Sequence, residues 1–112
     1  MKLRATAIAL TLLPALAFAQ VTYTPQQLRS MVDQGRPPAQ GAPSTVSETA
    51  DFSSCARKVH GVVASVRPNY PAQVIVDTSS MVLAKVWTND AAMTLTCSGP
   101  DRKLVITKAP YR

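Results

Sequence analysis

His60 is the only histidine in the chain, so any hydrolytic or metal chemistry would have to be built around it. A metal site needs several His, Cys, Asp or Glu ligands converging on one point. Here the carboxylates are scattered and both cysteines are expected in a bridge, so neither a metal nor a cofactor is expected. A serine or cysteine hydrolase would need His60 as its base with an aspartate to orient it, and no Gly-x-Ser-x-Gly elbow or comparable motif is present. Asp77, Asp90 and Asp101 fall at expected strand ends and turns, where Asp bonds its own backbone. Acid and base work by paired carboxylates would require two of them to meet across a cleft. The bland reading of His60, a surface histidine, is the stronger one.

Cys55 and Cys97 are the only cysteines and form no Cys-x-x-Cys, so they read as a structural disulfide rather than a redox dithiol. That expectation depends on compartment. Lys2 and Arg4 precede an uncharged run from Ala5 to Leu16, followed by the small-residue pattern Ala17-Phe18-Ala19. This is the order of a bacterial-type secretory signal peptide cleaved after Ala19, which predicts an exported protein, periplasmic or extracellular, beginning at Gln20. The apolar run is shorter than the roughly 20 residues that span a bilayer, so no transmembrane segment is expected in the mature chain. Taking 19 residues from 112 leaves 93, one small domain for which a covalent staple matters.

The net charge of +6 falls to +4 once Lys2 and Arg4 are removed. Arg57, Lys58, Arg67, Arg102, Lys103, Lys108 and Arg112 could form a cationic surface, but no aromatic interleaving or nucleic-acid motif accompanies them. Anionic envelope material fits that bias; nucleic acid does not. No Gly-rich phosphate loop supports nucleotide chemistry.

The elements that must position these residues divide the mature chain into a short helical segment (20–35), a Pro/Gly-rich linker (36–44) and a disulfide-closed α+β domain (45–112). In the first, Thr24, Pro25 and Gln27 make a capping box over a helix from Pro25 to Gln34, with Leu28, Met31 and Val32 inward and Gly35 closing it. The main helix starts between Thr45, whose Thr-x-x-Glu spacing to Glu48 is a second capping box, and Asp51. It runs to Arg67, where Pro68 stops it. Phe52, Cys55, Ala56, Val59, Val62, Val63 and Val66 fall within an arc of about 120°, a core-facing stripe.

From Ala72 the pattern alternates, predicting four antiparallel strands over Gln73–Asp77, Met81–Thr88, Ala91–Ser98 and Lys103–Lys108. A turn at Asn89-Asp90, where both residues tolerate positive φ, pairs Val86 with Met93, Ala84 with Leu95 and Val82 with Cys97. Folding at Pro100-Asp101 sets Cys97 opposite Leu104 and Leu95 opposite Ile106, and a loop at Thr78 to Ser80 sets Val76 opposite Val82. The predicted fold is therefore one main amphipathic helix on a four-stranded antiparallel meander, with a short N-terminal helix on a Pro-rich linker. Cys97 then faces the helix that carries Cys55.

The opposite sheet face carries Ile75, Leu83 and Val105, with Trp87 and Met81 nearby, and is too apolar to be simply solvated. It is the candidate interaction surface, unless the Leu28, Met31 and Val32 stripe covers it. In element order alone the chain resembles small envelope and secreted folds of the β-lactamase-inhibitor-like and cystatin-like kinds, which bind other proteins, without a residue motif to carry over. The expectation is a non-catalytic envelope module, monomeric or weakly dimeric, recognising an envelope protein or an anionic polymer. The competing classes are a small secreted hydrolase using His60 with an aspartate and a purely structural component.

Overall fold

The computed structural model describes residues 20–112, so the leader expected over 1–19 lies outside the described residues. Among the described residues two helices and an antiparallel sheet make an α+β fold in the order α1 (Pro25–Asp33), β1 (Ser44–Thr49), α2 (Phe52–Val66), β2 (Ala72–Asp77), β3 (Met81–Trp87), β4 (Ala91–Ser98) and β5 (Lys103–Pro110). The sheet has five strands in the order β1-β5-β4-β3-β2, not four. No helix among the described residues is long and apolar enough to cross a membrane.

The extra strand is the main correction. Ser44–Thr49 holds no second capping box; it pairs with β5 from Thr49 opposite Lys103 to Ser44 opposite Lys108. All six of its residues are exposed, so it carries no burial alternation that a sequence could display. Glu48 forms an ion pair with Lys58 at 3.6 Å. The preceding stretch is also tied down, because Gly41 N–H donates to the Pro110 carbonyl (2.7 Å) and Arg112 N–H to that of Ala39 (3.1 Å).

α2 starts at Phe52 because the Asp51 side chain accepts from the Ser54 N–H at 3.1 Å, capping the first turn. Cys55, Val59 and Val63 form its buried line. Beneath lie Val82, Ala84, Val86, Leu95, Cys97 and Leu104, each at most 5 % exposed. The expected pairs Val86 with Met93, Ala84 with Leu95, Val82 with Cys97, Cys97 with Leu104 and Leu95 with Ile106 are all present. Cys55 and Cys97 are disulfide-bonded through this layer, with their Cα atoms 5.9 Å apart.

Two local readings change. The Asn89-Asp90 turn closes with Thr88 N–H donating to the Ala91 carbonyl at 2.9 Å, yet neither residue has positive φ; among the described non-glycine residues only Arg102 does, at 53°. In β2 the register shifts between Val74 and Val76, leaving Ile75 as an extra residue, a β-bulge. Val76 therefore faces Leu83 rather than Val82, and Asp77 faces Val82. Because side chains alternate with period two, one inserted residue sends Val76 to the outer face and Asp77 to the helix side.

α1 has the capping box at Thr24 and Gln27 and ends in a Schellman motif. Arg36 N–H donates to the Met31 carbonyl (2.8 Å) and Gly35 N–H to that of Val32 (3.0 Å), with Gly35 at φ 72°. The helix is fastened just before its start and at its middle: Tyr23 N–H donates to the Asn89 carbonyl at 2.9 Å, and the Arg29 guanidinium donates to the Arg67 and Pro68 carbonyls at 3.1 Å each. Those carbonyls are left over at the C-terminal end of α2, where a cation is favoured.

Candidate interaction surface

The outer face of the sheet is built from the strand positions that alternate with the core. Reading across the ladders, Val76, Leu83, Thr96, Val105 and Ser47 form one row, and Gln73, Lys85, Thr94, Thr107 and Thr45 the next. In the first row Val76, Leu83, Thr96 and Val105 are half-buried and Ser47 is exposed. Beyond that row lies Met81, which is 38 % exposed, opposite Ser98 and then Lys103. A hydroxyl contact of 3.3 Å joins Thr45 and Thr107 at the β1 side.

Of the residues singled out from the sequence, Leu83 and Val105 share this row, two strands apart across Thr96. Ile75 is the bulged residue at the β2 edge and is 52 % exposed. Trp87 is only 4 % exposed because α1 lies on it: Leu28, Trp87, Ala92 and Tyr111 form a second core, edged by Val21, Tyr23, Val32 and Tyr70. Met31 and Val32 are half-buried, leaving Leu28 as the fully buried anchor of α1. α1 therefore covers the end of the face at Trp87 and Ala92, while the Leu83 row is not part of that core.

This covered end is polar as well as apolar. The Tyr111 hydroxyl lies 2.7 Å from the Thr88 carbonyl and 3.0 Å from the Ala91 carbonyl, so its one proton is shared between two acceptors. Burial, and then the negative charge of Asp90, push the Tyr111 pKa well above the usual tyrosine value. The Tyr23 ring meets Tyr111 edge-on, with centroids 5.2 Å apart. Lys85 Nζ sits 5.6 Å from the Trp87 ring centroid, whereas Trp87 Nε1 is buried with no hydrogen-bond partner. Val76 and Tyr111 were missed from the sequence as participants: the first is moved by the bulge, and the second lies just past β5.

Chemistry-bearing groups elsewhere are sparse. His60 Nε2 lies 3.3 Å from Asp77 Oδ2, bringing together the two residue types a hydrolytic base would need. Both side chains are about half exposed, at 44 % and 57 %, and among the described residues no hydroxyl is hydrogen-bonded to the imidazole as a nucleophile would be. Among the described residues no cluster of three or more His, Cys, Asp or Glu could hold a metal ion. A cleft of about 320 Å³ between α1 and the start of β2 is lined by Arg29, Arg67, Tyr70 and Gln73. Its guanidinium groups are already engaged, Arg29 on the Arg67 and Pro68 carbonyls and Arg67 on that of Ala72 (3.1 Å).

The basic residues do not converge. Lys58 is paired with Glu48, Arg57 bonds Ser53 and Ser54, and Lys85 and Lys103 lie on the outer face. Comparison of the chain with protein-family models, curated proteins and solved structures found no significant match to any of them.

Proposed function

We propose that the chain is an exported, non-catalytic binding module of the cell envelope, and that the outer sheet face is its recognition surface. The observation carrying this reading is the half-exposed row Val76, Leu83 and Val105, continued by Met81 and left free by α1. An apolar row held flat on a disulfide-stapled sheet is suited to another protein's surface, because rigid strands lose little entropy on binding. Lys85 and Lys103 at its margins favour a partner with acidic groups, or an anionic polymer, over a basic one.

Export rests on the Lys2 to Ala19 pattern and on a buried disulfide of the kind that persists outside the cytosol. Mass spectrometry of the exported protein should give an N-terminus at Gln20. A species retaining Met1 would overturn the localisation. For recognition, chemical crosslinking in cells of the wild type and of Leu83→Lys with Val105→Lys should give one captured species that the double variant loses while keeping its fold. If Lys85→Gln with Lys103→Gln removes binding to an anionic polymer instead, the partner is the polymer. Capture unaffected by either pair would refute the reading.

The His60 and Asp77 contact favours one competing reading, a hydrolase with that pair as base and orienting group. His60→Gln separates the two, since a hydrolase would lose turnover and a binding module would keep its partner.

A further inference from the structure

The two edges of the sheet are built differently. β2 is broken by the bulge at Ile75, a device that discourages edge-to-edge pairing. β1 has none of the usual guards: it runs six residues in unbroken register along β5, without proline, lysine or bulge, and its one charge, Glu48, is paired with Lys58.

The free backbone groups of β1 can be assigned. Ala50 N–H donates to the Arg102 carbonyl at 2.9 Å, continuing the β1–β5 register. Bonded and non-bonded pairs alternate in an antiparallel ladder, so Glu48, Val46 and Ser44 direct their N–H and C=O toward β5, and Thr45, Ser47 and Thr49 direct theirs outward. Val46 lies on the α2 side of the sheet beside Ile106 and is 66 % exposed, more than any other large hydrophobic residue described. α2 packs over β2, β3 and β4 and reaches β1 through the Lys58–Glu48 pair, leaving Val46 exposed.

We propose that β1 is the dimerisation edge of this chain, pairing antiparallel with β1 of a second copy about a twofold axis through Val46. Thr45 then bonds the partner's Ser47, and Ser47 bonds the partner's Thr45, so outward groups on both strands are satisfied. Val46 meets the partner's Val46 in the close, non-bonded type of pair, with Cα atoms about 4.5 Å apart. Ser44 faces the partner's Glu48, and Lys108 stands directly behind Ser44 on β5. At about 4.8 Å per strand, Lys108 and the partner's Glu48 are roughly 10 Å apart at Cα with only a serine between them, and the symmetry makes this opposite-charge pair twice. The strand is thus complementary to itself in backbone and apolar contact, and each Glu48, already paired with its own Lys58, gains a second cation in the partner's Lys108, which favours a second copy over an unrelated strand. This proposal does not depend on the outer face being a recognition surface.

An edge pairing of this length belongs with the small interfaces, giving a weak dimer with Kd on the order of 0.1 to 1 mM. Protein purified after expression of the full chain should show a monomer–dimer equilibrium by sedimentation. Val46→Cys should give a covalent dimer under mild oxidation, and Ile75→Cys, at the guarded edge, should not. Ser47→Pro removes an N–H that points away from β5, so it should weaken dimerisation at least tenfold while near-UV circular dichroism is retained. Should Ser47→Pro unfold, Val46→Lys places two like charges on the axis and serves the same purpose. A wild type monomeric up to about 1 mM, a dimer undiminished in both Ser47→Pro and Val46→Lys, or equal crosslinking at Ile75→Cys would each overturn the proposal.

Discussion

Replacing both Cys55 and Cys97 by Ala tests how the small domain is held together. The bridge spans a sequence separation of 42, for which the chain-entropy account gives a loss of about 4 kcal/mol when the unfolded chain is released. Both sulfurs lie in the core at 2 % and 0 % exposure, so truncation to Ala adds a packing loss on the order of 1 kcal/mol. Together these rival the total stability of about 5 to 15 kcal/mol usual for a domain. At this size a loss of about 5 kcal/mol should lower the melting temperature by roughly 20 to 40 °C. Urea unfolding followed by Trp87 fluorescence reads this directly, because Trp87 is the only tryptophan and is buried. A shift below about 1 kcal/mol would refute the argument that the bridge between α2 and β4 dominates the stability of this core.

Leu28→Ala removes the fully buried anchor of α1, and large-to-small changes of this kind cost about 2 to 5 kcal/mol. Amide exchange across 25–33 should accelerate and Trp87 emission should shift to the red, while amides of β4 stay protected. The native Tyr111 holds its proton to higher pH than an unfolded tyrosine, which ionises near about 10. Its contribution is therefore complete below that pH and is lost as pH rises beyond it, because ionisation favours the unfolded chain. Tyr111→Phe should cost about 1 kcal/mol at neutral pH and flatten the alkaline fall in stability; an alkaline limb as steep as the wild type's would contradict the assignment.

The sheet centre and α2 were readable because both write burial into the sequence. The hairpins placing Val82, Ala84 and Val86 opposite Cys97, Leu95 and Met93 follow from period-two alternation, and the disulfide follows from two inward faces. β1 was not readable for the converse reason: with both faces exposed, Ser44–Thr49 owes its strand conformation to the β5 ladder. The Thr45 and Glu48 spacing of a capping box lost to that ladder. The bulge at Ile75 left no turn residue or glycine as a signal, yet it decides that Val76 joins the outer face and that Asp77 reaches His60. For the candidate surface, Leu83 and Val105 were legible from alternation alone. The burial of Trp87 required knowing where α1 docks, which tertiary contacts and not local pattern decide.

The central claim, that the outer sheet face recognises a partner, is tested most directly by a photo-crosslinking side chain placed singly at Leu83, at Val105 and at Arg57 on the exposed side of α2, followed by irradiation of living cells. The account predicts one adduct of the same mass from Leu83 and Val105 and none from Arg57. Adducts from Arg57 alone, or equal labelling at all three positions, would contradict it.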